Sequence, residues 1–146
     1  MLTKNQARIF FLGGTVLFFL IFLGLSWHSI AKEVPKQTHE ENLTEAVVRG
    51  KEIWDKNNCM GCHTILGEGA YYAPELTKVF ERKGEQYIKT VLTSKEPWQP
   101  NGRKMVAYGM SDKDASDVVE FFKWIGNMGL NGFPPEPDLR DKVPTK

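Results

Sequence analysis

The chain has 146 residues, and once its apolar N-terminal stretch is set aside about 115 remain, the size of one small domain rather than two. With 19 basic and 18 acidic residues the formal net charge is +1, which leaves no argument for a nucleic-acid footprint or for a charged, disordered tail. The only cysteines, Cys59 and Cys62, are too close together to close a useful disulfide loop and too few for a disulfide framework.

From Ile9 to Trp27 the sequence IFFLGGTVLFFLIFLGLSW carries no charge. Its nineteen residues make about 28 Å of helix, enough to cross a hydrocarbon core. A cleaved signal peptide is the competing reading, but the run exceeds the usual h-region and no A-x-A site follows it. Residues 1–8 hold Lys4 and Arg8 with no acidic residue, while the far flank mixes Lys32, Glu33, Lys36, Glu40 and Glu41. This charge bias puts residues 1–8 in the cytoplasm, a transmembrane anchor at 9–28, and the rest outside, as in a single-pass protein of a bacterial inner membrane with a periplasmic domain. Trp27 and His28 fall at the headgroup level and carry no predicted chemistry.

Residues 29–43 are polar, contain Pro35 and show no apolar period, so they read as a linker that lifts the next domain away from the bilayer. A domain over 44–130 follows. Thr44 is a candidate N-cap for a helix near 44–57 with Val47, Val48, Ile53 and Trp54 at helical spacing and Asn57-Asn58 as its stop. A second clear helix starts after the N-cap Ser111, with Asp112 and Asp114 at the positive end of its dipole. Its apolar stripe is Ala115, Val118, Val119, Phe122 and Ile125, widened by Phe121 and Trp124, and Gly126 ends it. Between them Glu85 to Thr93 is weakly helical, Gly67 to Pro74 and Lys95 to Gly102 are loops, and no run alternates like a strand. Residues 131–146, rich in proline, read as an extended tail.

Cys59-Met60-Gly61-Cys62-His63 matches the C-x-x-C-H motif for covalent haem c. Two thiols three positions apart at the end of a helix reach the two vinyl-derived carbons on one side of a porphyrin, and the adjacent imidazole falls beneath the iron. A zinc knuckle would need further ligands, and His28 and His39 both lie outside the folded region. A thioredoxin-like pair would follow a strand, whereas a helix is expected here. A thioether on the other face of the iron suits electron transfer. Met105 lies in an irregular stretch long enough to drape over that face. Met110 precedes the N-cap Ser111, where a hydrophobic staple is the simpler role, and stands as the alternative ligand. Met128, after the last helix, reads as packing or surface.

Helix, C-x-x-C-H, methionine loop and aromatic final helix, in this order, resemble a class I mono-haem cytochrome c, and Gly50 and Phe121 match that family's close crossing of first and last helices. The anchor together with V-V-R-G-K-E-I-W-D-K-N-N-C-M-G-C-H-T-I-L-G-E-G-A-Y-Y-A-P-E-L is similar to the NorC family, the cytochrome c subunits of nitric oxide reductases. The resemblance covers nearly the whole chain. It implies an all-α fold, one N-terminal transmembrane helix and one covalent haem c. It also implies electron transfer from a soluble periplasmic cytochrome c or cupredoxin to haem b of a large catalytic multi-haem subunit. Gly69 and Tyr71 match positions that reach a calcium ion shared with that subunit; a loop that covers the haem edge is the plainer account of the same segment. One departure stands out. Relatives usually carry Met-Pro at the axial ligand, and this chain has Met105-Val106, which leaves the loop without proline's fixed φ. A tethered cytochrome serving another respiratory complex, and a haem protein with an open sixth position, are the rival readings.

Overall fold

The computed structural model describes residues 3–99 and 102–135. The chain divides into two units, Met1–Glu40 and Glu41–Lys146. In the first, α1 (Lys4–His28) starts on a capping box: Gln6 N–H donates to Thr3 Oγ1 at 3.3 Å and Thr3 N–H to Gln6 Oε1 at 2.8 Å, pairing amides that a bare helix start leaves open. None of its residues is buried within the chain, and Phe10, Phe11 and Phe18 are 72%, 69% and 70% exposed. A helix apolar on all sides with such exposed side chains belongs in hydrocarbon.

The expected linker over 29–43 is largely helical instead. A π-helical turn, Ser29–Glu33, leads into α2 (Val34–Thr38), so Lys4–Thr38 form one continuous helix of 35 residues. That is about 52 Å of rod, against a hydrocarbon core of about 30 Å. Pro35 has no N–H, and its ring would collide with the carbonyl four residues back. The widened turn accommodates it, with Val34 N–H donating five residues back to Ser29 O. His39, left-handed at φ 51°, ends the rod.

The second unit packs α3 (Glu45–Lys56), α4 (Val79–Thr93) and α5 (Asp112–Gly126) around one core. Thr44 and Ser111 cap α3 and α5 as expected, accepting from Val47 N–H at 3.4 Å and Asp114 N–H at 3.1 Å. The α5 stripe is buried throughout except Trp124, which is half-buried. The helix α3 buries Val47, Gly50 and Trp54, one face at helical spacing. Gly50 is where α3 and α5 touch: a Cβ there would lie 2.1 Å from Asp117 O and 2.8 Å from Phe121 Cβ. Beside the crossing Arg49 Nε donates to Asp117 Oδ2 at 2.8 Å and Nη2 to Oδ1 at 3.1 Å, a bidentate pair joined by Lys113 Nζ at 2.9 Å.

Three further differences from expectation have local causes. The helix α4 begins at Val79 rather than near Glu85, because Gly84 (φ 75°, ψ 167°) kinks it and hides the period of its first turns. A two-stranded hairpin exists, β1 (Thr64–Ile65) with β2 (Glu68–Gly69), in strands too short for alternation to register. Asn131 and Gly132 form a left-handed turn closed by Phe133 N–H to Leu130 O at 3.0 Å rather than extended chain. The remainder of the expected tail, 136–146, lies outside the described residues.

Gly50→Ala is expected to lower the unfolding free energy of the full chain in detergent by about 3 kcal/mol or more, since the added methyl meets backbone rather than a flexible side chain. Denaturant titration followed by circular dichroism checks this, and a midpoint at or above the parent's contradicts the close crossing. The hydrogen bonds from Arg49, reinforced by Lys113, hold the Asp117 carboxyl down to about 2 from 3.8. Because the folded value lies below the unfolded one, the stabilisation is complete above pH about 4 and is lost as pH falls toward about 2. Acid titration of stability should show this loss in the parent and not in Asp117→Asn.

Candidate haem site

The helix α3 stops at Asn57, and Asn58 in the left-handed region (φ 50°) turns the chain into a 3₁₀ turn, Cys59–Gly61. Cys62 N–H and His63 N–H both donate to Cys59 O, at 3.1 and 2.9 Å. In such a turn residues three apart eclipse one another, so the two thiols project from the same side. Cys59 is half-buried and Cys62 exposed, and they form no disulfide. Burial pushes the Cys59 thiol up, partly offset by a hydrogen bond with Tyr108.

His63 Nδ1 lies 2.8 Å from Pro74 O. A carbonyl only accepts, so Nδ1 carries the proton and Nε2 keeps the lone pair that a metal binds. Burial pushes the imidazole down from its ordinary value, opposed by the Pro74 carbonyl. The Trp54 ring packs against His63 with centroids 6.4 Å apart, and against Phe121 and Phe122 at 6.2 and 5.6 Å. Trp54 Nε1 and Thr64 Oγ1, on a ring neighbour and a chain neighbour of His63, are buried without a hydrogen-bond partner. Paired thiols, an imidazole with Nε2 free and donors in want of an acceptor suit a haem, whose edge carries carboxylates. Among the described residues no three His, Cys, Asp or Glu side chains gather into a metal cluster.

The Pro74 carbonyl is held by the segment that precedes α4. Leu66 (φ 51°) and Gly67 (φ 84°) form the two-residue turn between β1 and β2, and both positive φ values match the tight hairpin type that strand twist favours. Gly69, at φ 120°, passes so near the motif that a Cβ would sit 2.2 Å from His63 O. Backbone bonds then tie this stretch to the motif: Ala70 N–H to Met60 O at 2.9 Å, Ala73 N–H to Cys62 O at 2.8 Å and Leu76 N–H to Thr64 O at 2.9 Å. Thr77, fully buried, accepts from Leu66 N–H at 2.7 Å and donates to the Glu75 carboxylate.

Both candidate methionines are half-buried against the core. Met105 forms an isolated antiparallel bridge with Trp98. Met110 N–H donates to Leu92 O at 3.0 Å, which anchors it at the start of α5. Met128 also packs against the core. Tyr71 is 81% exposed, while Gly69 is fixed through its backbone. Sequence reasoning missed Pro74, Thr77, Trp98, Arg103 and Tyr108. Their roles rest on pairings across the fold, and only the unusual density of the G-E-G-A-Y-Y-A-P-E-L stretch hinted that Pro74 and its neighbours matter.

Residues 47–126 match the family model described as cytochrome c. The chain is 46% identical to the nitric oxide reductase C subunit of Stutzerimonas stutzeri, over 93% of this chain and 96% of that protein. It is 44% identical to the corresponding protein of Halomonas halodenitrificans over 93% and 96%, and 38% identical to that of Paracoccus denitrificans over 92% and 95%.

Gly69→Ala combines a positive φ with a collision against backbone, and a loss of about 2 kcal/mol or more is expected. Amide hydrogen exchange should quicken at Ala70, Ala73 and Leu76, the three amides bonded to the motif and to Thr64 beside it. Unchanged exchange and an unchanged unfolding midpoint would contradict this placement of Gly69.

Proposed function

The chain belongs to the cytochrome c family and, within it, to the family of nitric oxide reductase C subunits, and from that premise we propose that it is the electron-entry subunit of a nitric oxide reductase. In this reading Cys59 and Cys62 would hold a single haem c through thioether links, and His63 Nε2 and Met105 sulfur would ligate its iron. Haem c, when bound, supplies one-electron redox chemistry at its iron.

The chain's own residues do the positioning. Pro74 O holds the proton on His63 Nδ1 and fixes the ring's rotation, so the ligand geometry is set before any electron arrives. Trp54, backed by Phe121 and Phe122, shields one side of His63 from water. Thioether links from Cys59 and Cys62 would keep the imidazole beside the haem. A methionine thioether as second ligand would raise the potential. The His63 to Pro74 hydrogen bond beside two unpaired thiols is the observation that carries the reading.

The proposed route begins with a soluble periplasmic cytochrome c or cupredoxin touching the exposed edge in a small, transient contact. It ends at haem b of the catalytic subunit, where two NO, two electrons and two protons yield nitrous oxide and water. The apolar helix α1 anchors the chain in the bacterial inner membrane with residues 1–8 cytoplasmic and the haem domain periplasmic. A calcium ion shared with the catalytic subunit at Gly69 and Tyr71 completes the proposal; backbone carbonyls of this exposed turn would supply the hard oxygen ligands that calcium takes.

The test is purification in mild detergent after expression with a haem-ligation system and the catalytic subunit. One covalent haem per chain and copurification of a larger multi-haem protein are expected. A colourless or zinc-loaded chain overturns the reading. The sulfur-to-iron absorption band should vanish in Met105→Ala. Its loss in Met110→Ala alone moves the ligand to Met110, and ready binding of carbon monoxide by the reduced parent indicates an open sixth position instead.

A further inference from the structure

The residue after Met105 is Val106, 61% exposed, and nothing in its side chain fixes the backbone. The loop is restrained by other means. Trp98 N–H donates to Met105 O at 3.1 Å and Met105 N–H to Trp98 O at 2.9 Å, a hydrogen-bonded antiparallel pair. Residues directly opposite in such a pair project from the same side, so the indole of Trp98 and the thioether of Met105 are neighbours. The indole is in turn seated on α4: Trp98 and Tyr87 meet edge to face, centroids 5.8 Å apart at 90°, and Lys83 Nζ lies 5.2 Å from the Tyr87 centroid. A second tether comes from Arg103, which donates to Tyr72 O and sets its guanidinium 5.5 Å from the Tyr72 ring. The Met105 loop is thereby tied to the segment whose Pro74 carbonyl orients His63.

We infer that Trp98, braced by Tyr87, is a positioning residue that holds the Met105 sulfur in place. The inference rests on Met105 being the axial ligand. A ligand that reaches the iron from solution must first detach that loop, so its apparent affinity reports how often the loop opens. Imidazole is a suitable probe. In the full-length ferric protein in detergent, Trp98→Ala should bind imidazole about three- to tenfold more tightly than the parent, the scale of one lost aromatic pair. Trp98→Phe should recover most of the difference. Val106→Pro in the Trp98→Ala background should also recover it, because Val106 N–H has no backbone bond to lose among those described and proline adds a backbone restraint of its own.

A packing role alone would lower the unfolding midpoint of Trp98→Ala and leave imidazole affinity within twofold of the parent, and that result overturns the inference. If Trp98→Ala fails to accumulate, Tyr87→Ala at the half-exposed end of the stack must show the same tightening; no change there overturns it equally. Loss of the sulfur-to-iron band in Met105→Ala shows that the ligand assignment stands while these outcomes are read. Retention of the band in that variant overturns the assignment itself and the inference with it.

Discussion

The absence of one side chain at Gly50 sets where everything else goes. Helices α3 and α5 meet there with backbone against backbone and no room for a methyl group. This contact fixes α3 against α5, and α3 ends at Lys56, three residues before Cys59. The motif's height and direction are therefore inherited from a crossing nine residues upstream. Arg49, next to Gly50, adds the bidentate pair with buried Asp117. A buried carboxylate without that partner would be costly, so the electrostatics and the close approach specify the same arrangement.

Around the motif the positioning is done by main-chain groups more than by side chains. Carbonyls of Met60, Cys62 and Thr64 each accept an amide from the 70–76 stretch, and the carbonyl of Pro74 accepts from His63. Such a frame tolerates little backbone movement. It also explains the glycine and left-handed residues gathered at 66–69, since the chain has to turn within two residues and pass within contact of His63 O. Thr77 closes the frame from beneath, a fully buried hydroxyl that uses both its donor and its acceptor capacity. On the opposite side of the sequence, Trp98, Tyr87, Arg103 and Tyr72 link the Met105 loop to α4 and to this frame.

The membrane rod follows a different logic. Among the described residues none of α1 is buried, so its stability depends on the medium and on internal hydrogen bonds, and the helix continues past the apolar stretch until His39 adopts a left-handed conformation. Pro35 does not end it, because a π-helical turn absorbs the missing donor. Polar composition and a proline predicted irregular chain there. Local hydrogen bonding could be satisfied within a helix after all, and composition carries no information on that choice.

What the amino-acid order determined by itself was whatever depends on near neighbours along the chain. The apolar run at 9–27, the caps Thr44 and Ser111, the α5 stripe and the C-x-x-C-H spacing are all local patterns, and each was legible for that reason. Gly50 was legible only through its family resemblance. The hairpin at 64–69, the early start of α4, the Pro74 acceptor for His63 and the bridge from Trp98 to Met105 were decided by the tertiary structure. In each of these the partner lies several to many residues away, or the element is too short or too kinked to show a period, so no window of sequence holds both halves of the interaction. Ligand identity in a haem protein is chosen by residue type, but the geometry that makes a ligand useful is set by hydrogen bonds and stacking that exist only once the chain has folded.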